Sequence, residues 1–127
     1  MPDAQQDPRT EGTLAIVRKV DEAVNRRDIE AMMALAADDI VWDTTTPPGG
    51  ERHIGHAAVW KACEAFFASS AEATFETEEL VAWDDRAVAR WVYRWVDEQG
   101  QPGHVRGVDI YRVRDGKVAE ILSYVKG

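Results

Sequence analysis

The residue most suggestive of chemistry is Asp109, an acid in the middle of a predicted strand. Residues 105–125, VRGVDIYRVRDGKVAEILSYV, alternate apolar and other residues around Asp115-Gly116, a dipeptide typical of a tight hairpin turn. The alternation places Asp109 and Tyr111 on the same face of the first strand. A carboxylate is a poor strand former and is costly to bury. Asp109 therefore either lines a pocket as an acid–base group or pairs with an arginine of a neighbouring strand.

The elements that must position Asp109 are three helices and a run of long strands. Apolar residues at helical spacing place Asp21 on the polar side of the first helix, and Asp28 is a suitable N-cap for the second. Helices on one side of an antiparallel sheet form an α+β domain, and a strongly curved sheet leaves a pocket between the layers. The predicted helices are Thr13 to Arg26, a short one after Asp28, and His56 to Ser69; the strands before the final hairpin are Ile40 to Thr46, Phe75 to Trp83 and Ala87 to Val96.

Three segments, ADDIVWDTTTPP, GHAAVWKACEAFF and GVDIYRVRDGKVAEILSYV, resemble the nuclear transport factor 2-like (NTF2-like) superfamily. Within it, the chain is most similar to the SnoaL-like and ketosteroid-isomerase-like branch of small bacterial proteins. The resemblance extends from Thr13 to Val125. It implies a cone of strongly curved antiparallel sheet wrapped around three N-terminal helices. This fold hosts isomerases, cyclases, dehydratases, epoxide hydrolases and non-catalytic subunits, so the fold alone assigns no function.

The resemblance also implies roles for individual residues. Ketosteroid isomerases have a general-base Asp shortly after the ADD segment, where this chain has Asp43, and a second, protonated Asp in the strand that contains Asp109. The Tyr that they carry on the first helix corresponds to Val20, and the final-strand acid of related enzymes corresponds to Ser123. Two carboxylates that face one apolar cavity raise each other's pKa. The prediction is therefore that Asp43 is the ionised base and Asp109 the neutral proton donor.

Two orientations are open for the strand before the final hairpin. In one, Arg90 and Arg94 face the cavity, which then suits an acid or a phenolate. In the other, Trp91, Tyr93 and Trp95 face the cavity, which then suits a flat apolar ligand. Direct alignment of the two strands through the turn favours the arginine orientation, and a bulge would reverse it. The predicted ligand-binding residues are Val20, Trp42, Trp60, Arg90, Val92, Arg94, Tyr111 and Ser123.

No cofactor and no metal are predicted. The chain has no Gly-rich phosphate loop, and His53 and His56 are too closely spaced, without a further acid or Cys, for a metal site. Fifteen basic and 23 acidic residues give a formal charge of −8, which argues against nucleic acid and anionic membranes as partners. No apolar run approaches the roughly 20 residues of a membrane span.

The remaining features indicate a single cytoplasmic domain. Cys63 is the only cysteine, so no intrachain disulfide can form, and the N-terminus lacks the pattern of a signal peptide. We predict a flexible leader over residues 1–10 and one SnoaL-like domain over residues 11–127.

The predicted function is binding of a small apolar or aromatic molecule, with isomerisation, cyclisation or dehydration by Asp acid–base chemistry. The alternative is a non-catalytic ligand-binding or assembly module, which the missing first-helix Tyr favours. With the arginines inward, apolar side chains gather on the convex face of the sheet and predict a homodimer through that face. These residues are Trp91, Trp95, Val108, Ile110, Leu122 and Tyr124.

Overall fold

The first helix, α1 (Pro8–Asn25), begins at an N-cap: the Asp7 side chain accepts a hydrogen bond from the Thr10 backbone N–H. The computed structural model describes residues 7–69 and 72–126. Residues 8–10, predicted as part of a leader, are thus the first turn of α1, and residues 1–6 of that leader lie outside the described residues.

The other elements follow the predicted order closely. The Asp28 side chain accepts a hydrogen bond from the Ala31 N–H and caps α2, as predicted. The short strand β2 was not predicted, and β1 begins four residues earlier than expected because α2 ends at Ala34. The elements are α2 (Ile29–Ala34), β1 (Ala36–Asp43), β2 (Arg52–Ile54), α3 (His56–Ala68), β3 (Glu72–Trp83), β4 (Arg86–Val96), β5 (Pro102–Arg114) and β6 (Lys117–Lys126).

The six strands form one open, mixed sheet in the order β2-β1-β6-β5-β4-β3. Strands β1 and β6 are parallel and the other neighbours are antiparallel, so the α+β cone is confirmed but the sheet is not purely antiparallel. The helices cover one face, which we call the concave face; the other is the convex face. A buried cluster between α1, α3 and the concave face includes Val17, Val20 and Val59.

The start of α1 is fixed to the β3–β4 turn by two hydrogen bonds. The Thr13 hydroxyl donates to the Asp84 carbonyl oxygen (2.6 Å), and the Asp84 N–H donates to the Thr10 hydroxyl (2.7 Å). Both threonines are buried. These bonds set the position of α1 along the sheet and therefore that of the side chains α1 turns toward it.

The loop between β4 and β5, residues 97–101, decides which side chains face the helices. The Asp97 carboxylate accepts hydrogen bonds from the backbone N–H groups of Gln99 and Gln101 and closes the loop. Val96 pairs with Pro102 across an odd number of loop residues, so odd-numbered residues of β4 lie opposite odd-numbered residues of β5. Trp91, on β4, therefore shares the face of Asp109.

The final hairpin is confirmed, with its turn at Asp115-Gly116, both at positive φ. A register shift follows between Arg112 and Val113. Because of this shift, Asp109 pairs with Ser123. Extending the turn register without the shift would instead pair Asp109 with Leu122, so the irregularity brings a hydroxyl beside the carboxylate.

Candidate functional site

A cavity of about 680 Å³ lies between the concave face and the three helices. We call it the aromatic cavity because rings from α3 and three strands form much of its wall. Carboxyl, hydroxyl and imidazole groups interrupt this wall at few points. The rings belong to Trp42, Phe66, Phe67, Phe75, Trp91, Tyr93 and Trp95, and the ionisable groups to Asp21, Glu51, His53, Cys63, Tyr93, Asp109 and Tyr111.

The rings of β3, β4 and α3 form a continuous cluster. The Phe75 ring lies 4.7 Å from that of Tyr93 and 5.1 Å from that of Trp91, which it meets edge-on. Phe66, from α3, lies 5.4 Å from Tyr93. Such pairs prefer offset or edge-to-face arrangements and stabilise one another beyond their buried area. The cluster therefore presents a shaped apolar wall that suits a flat ring.

Two glycines of β5 give the tryptophans of β4 their positions. Gly107 pairs with Trp91 and Gly103 with Trp95. A Cβ atom on Gly107 would lie 2.5 Å from the Trp91 ring, and one on Gly103 would lie 2.5 Å from the Trp95 ring. The indole rings thus lie directly on the backbone of β5.

The polar end of the cavity contains two buried atoms that lack a hydrogen-bond partner among the described residues, Trp91 Nε1 and Asp109 Oδ1. Burial raises the pKa of Asp109 to about 6. Ser123, Trp91 and Tyr111 act in the opposite direction and lower this pKa, and the charge of Asp21 raises it. The three polar groups thus surround the carboxyl group, yet Oδ1 remains without a hydrogen bond of normal geometry.

Tyr111 and Ser123 complete this polar end. Tyr111 is almost fully buried; burial first, and then the charges of Asp109 and Asp21, hold its pKa well above the usual value. Its phenol therefore keeps its proton. Ser123 accepts a hydrogen bond from Trp42 Nε1 (3.2 Å), so Trp42 lies along the cavity with its own polar atom occupied.

Asp21 is another carboxylate that lines the cavity, so the prediction that it lies on the polar side of α1 is wrong. Thr77 Oγ1, from β3, donates a hydrogen bond to Asp21 Oδ2 (2.7 Å). Burial raises the pKa of Asp21, and the Thr77 hydrogen bond partly opposes this rise. Its spacing of three residues from Val24, which also lines the cavity, is the signal that could have indicated it.

Asp43 and Asp109 are not brought together. Asp43 pairs in register with Leu122 and Arg52, and it follows Trp42, which faces the cavity. Alternation along β1 therefore directs Asp43 to the convex face, where its carboxylate lies 3.4 Å from the Arg52 guanidinium. Asp43 is not among the residues that line the cavity.

The arginine orientation of β4 is wrong, because the odd-length loop directs Trp91, Tyr93 and Trp95 inward instead. Arg90 and Arg94 lie on the convex face, where they are half-exposed and paired with acids of β3. The pairs join Arg90 to Glu78 (3.0 Å) and Glu79 (3.3 Å), and Arg94 to Glu76 (3.6 Å).

The other predicted ligand contacts divide between the cavity and the outside. Val20, Trp42, Tyr111 and Ser123 line the cavity. Val92 is fully buried but does not line it; it follows Trp91 and points to the opposite face. Trp60, 37% exposed on α3, does not line it either.

The lining of the cavity contains acidic side chains. No Lys or Arg from the described parts of the chain lines it. Residues 7–69 and 72–126 contain no group of three or more His, Cys, Asp or Glu side chains that could hold a metal ion.

Cys63 is buried in the core as expected, and burial raises the pKa of its thiol to about 11, so it is not a nucleophile at neutral pH. Among the described helices, none is both long and apolar enough to cross a membrane.

Residues 17–121 match the family model described as the SnoaL-like domain. Among solved structures, an NTF2-like protein of unknown function from Mesorhizobium loti is 35% identical, with a TM-score of 0.82 over 97% of this chain and 98% of that one. A proposed polyketide cyclase from Xanthomonas campestris pv. campestris is 25% identical, with a TM-score of 0.75 over 93% of each chain.

A third structure, a proposed ketosteroid isomerase from Kribbella flavida, is 24% identical, with a TM-score of 0.77 over 93% of this chain and 80% of that one. At this identity the likeness concerns the fold. A comparison with the curated proteins finds no match.

Proposed function

Since the chain belongs to the SnoaL-like domain family of the NTF2-like superfamily, we propose that it binds a neutral, ring-containing small molecule in the aromatic cavity. The observation that carries this proposal is a pair of buried atoms at the polar end, Trp91 Nε1 and Asp109 Oδ1, that lie near each other but form no hydrogen bond of normal geometry within the described residues. A buried polar atom without a partner costs about 1–3 kcal/mol. A ligand oxygen that satisfies both atoms recovers that free energy, and the rings accommodate the rest of the molecule.

The charge of the cavity supports a neutral ligand. Three acids, Asp21, Glu51 and Asp109, line it, and no basic Lys or Arg side chain of the described residues does. An anionic ligand would lose its hydration without gaining a cation. A hydroxyl or carbonyl group instead accepts a hydrogen bond from Trp91 Nε1 and exchanges another with Asp109.

We further propose that the protein is an enzyme that uses Asp109 as an acid in an isomerisation, cyclisation or dehydration. With a pKa of about 6, the carboxyl group of Asp109 is protonated in roughly one molecule in ten at pH 7. A ligand that expels water from the cavity favours the protonated form further. Protonated Asp109 and Trp91 are then two donors for one ligand oxygen, as stabilisation of an enolate requires. No cofactor takes part in this proposal.

Binding of three probes of similar shape tests the ligand class: 2-naphthol, naphthalene and 2-naphthoate, measured by calorimetry or fluorescence. We expect 2-naphthol to bind at least about tenfold more tightly than 2-naphthoate, equivalent to about 1.4 kcal/mol. Trp91→Phe and Asp109→Asn should each weaken 2-naphthol binding by about three- to tenfold, the worth of one hydrogen bond, and leave naphthalene unchanged.

Arg94→Met, on the convex face, is the matched control and should alter none of the three affinities. Absence of binding by all three probes, or a preference for 2-naphthoate, would contradict the proposed ligand class. If ligands bind but never undergo chemistry, the non-catalytic alternative is correct.

We also propose a homodimer through the convex face. The apolar residues at this interface differ from the predicted ones. Trp91 and Trp95 face the cavity and do not contribute. A convex apolar band supports the proposal instead: it runs across four strands in register, Val81 to Val88 to Ile110 to Leu122. Val81 is 47% exposed. Apolar surface of this kind is typical of an interface.

A further inference from the structure

We propose that Asp21 is the catalytic base of the aromatic cavity: its carboxylate accepts a proton from a carbon atom adjacent to the ligand's carbonyl group. This inference rests on the proposed function and deepens it. It replaces the predicted base, Asp43, whose side chain lies on the convex face with Arg52.

The position of Asp21 is the first argument. It lines the same cavity as Asp109 but belongs to α1, whereas Asp109 belongs to β5, so the two acids reach the cavity from opposite layers. Because the Asp21 carboxylate is hydrogen-bonded to β3 and Asp109 belongs to β5, with β4 between them, a ligand in the cavity would contact the two acids at separate points. An acid at the ring oxygen and a base over a neighbouring carbon is the arrangement that proton abstraction requires.

The hydrogen bond from Thr77 is the second argument. It joins Thr77 Oγ1 to Asp21 Oδ2 at 2.7 Å and fixes the side chain from β3. A hydrogen bond donated to a carboxylate favours its ionised form. Thr77 thus both positions Asp21 and keeps it available as a base.

The coupling of the two acids is the third argument. The charge of Asp21 raises the pKa of Asp109 and that of Tyr111, so ionised Asp21 favours the protonated forms of both. Asp109 is the more strongly desolvated acid and lacks a hydrogen bond at Oδ1. As pH rises, Asp21 therefore loses its proton before Asp109 does, which assigns Asp21 as the base and Asp109 as the donor.

The buried indole nitrogen of Trp91 is a separate observation that indicates a ligand in this cavity. Trp91 is 6% exposed, its Nε1 lacks a partner within the described residues, and its ring lines the cavity. The other ionisable groups that face the cavity are Glu51, His53, Cys63 and Tyr93.

The proposed step is balanced within the site. Asp21 removes a proton from the carbon, and the C–H electron pair forms a C=C bond. The carbonyl becomes an enolate oxygen that accepts hydrogen bonds from Trp91 Nε1 and the Asp109 hydroxyl. The proton then returns from Asp21 to the same carbon or to another carbon of the conjugated system, which leaves Asp21 ionised again.

Hydrogen–deuterium exchange of a flat bicyclic ketone, 2-tetralone, tests this step. Exchange at the carbons beside the carbonyl group is measured by NMR in deuterated buffer, above the buffer-catalysed rate. We expect Asp21→Asn to lower the catalysed rate by about 100-fold or more, as loss of a general base does. The matched acid outside the cavity, Asp43→Asn, should stay within about twofold of wild type.

Thr77→Val provides a second measurement that a structural role would not affect. Loss of the hydrogen bond raises the pKa of Asp21, so the acid limb of the rate–pH profile should move to higher pH. This variant remains informative if Asp21→Asn does not fold. An unchanged pH profile in Thr77→Val overturns the assignment of Asp21.

The outcomes separate this inference from the proposed function. If 2-naphthol binds to wild type in the manner expected and Asp21→Asn retains the wild-type exchange rate, Asp21 is not the base and the proposed ligand class stands. If Asp43→Asn abolishes exchange, the base is Asp43 and this inference is wrong. If wild type binds none of the ring probes, both proposals fail together.

Discussion

The two faces of strand β4 are chemically opposite, although their residues alternate along one stretch of chain. On the concave face Trp91, Tyr93 and Trp95 contact other rings, and an indole nitrogen lies buried without a partner. On the convex face Arg90 and Arg94 are about half-exposed and form ion pairs with acids of β3. The concave face thus contains polar atoms without hydrogen bonds, whereas the convex face contains ion pairs that each contribute little to stability.

The comparison teaches that the unusual face is the one with unmet polar atoms. Exposed ion pairs typically contribute about 0–1 kcal/mol, so the convex pairs add little to the free energy of unfolding. A buried atom without a partner costs more than that and persists where a ligand compensates for it. Function is therefore expected on the concave face, and assembly on the convex one.

The largest effect on the free energy of unfolding should follow from Gly107→Ala, which places a methyl group against the backbone on the concave face. The added Cβ atom would lie 2.3 Å from the Tyr124 carbonyl oxygen and 2.5 Å from the Trp91 ring. The carbonyl cannot move without breaking the β5–β6 pairing. We expect a loss of about 3–5 kcal/mol in the free energy of unfolding, measured by urea denaturation.

Gly103→Ala is the matched control, because the three atoms nearest to its Cβ atom all belong to the Trp95 ring rather than to the backbone. That ring lies near the end of β4 and can shift, so we expect a loss of about 1 kcal/mol. Equal losses for the two variants would show that the rings, not the backbone, set the cost.

The sequence predicted the features that depend on local patterns. The Asp115-Gly116 turn, the Asp28 cap and the faces of the final hairpin each follow from a few neighbouring residues, and the structure confirms them. The family resemblance predicted the cone, and it too is confirmed.

The site itself depends on register, which local patterns do not determine. The odd length of the loop at 97–101 reverses the face of every residue in β4 relative to β5, and the Arg112–Val113 shift selects Ser123 as the neighbour of Asp109. The structure places Asp43 outside the cavity for a related reason: the family pattern gives its position along β1 but not the direction of its side chain. Gly103 and Gly107, spaced like Trp95 and Trp91, were the available signal for the correct register.

The next effect concerns the pH dependence of stability and sharpens the contrast between buried and exposed acids. The pKa of Asp109 is about 6 in the folded state, whereas its ordinary value, which applies to the unfolded chain, is 3.8. The folded state then binds more protons than the unfolded state between these values, so stability falls as pH rises through this window. The full loss is at most about 3 kcal/mol, since each unit corresponds to about 1.4 kcal/mol.

Asp109→Asn should remove most of that slope between about pH 4 and pH 6, as followed by urea denaturation at several pH values. Asp21, whose pKa burial also raises, accounts for the slope that remains. Asp39→Asn is the control: its exposed carboxylate has a pKa lowered by Arg114, so it stays ionised across the window. An unchanged slope in Asp109→Asn would contradict the raised pKa.

The smallest effect on stability, and the most selective, should come from Val81→Lys on the convex face. Val81 is 47% exposed and lies opposite Val88, so a charge there costs the isolated fold under about 1 kcal/mol but would be buried in the proposed dimer. We expect sedimentation to change from dimer to monomer at micromolar concentration, with affinity for 2-naphthol within about twofold of wild type. Thr74→Lys, exposed on the same strand outside the convex apolar band, should leave the dimer intact. A wild-type monomer at that concentration would contradict the proposed dimer through the convex face. It would leave the proposed role of the concave face unaffected, because that face uses none of these residues.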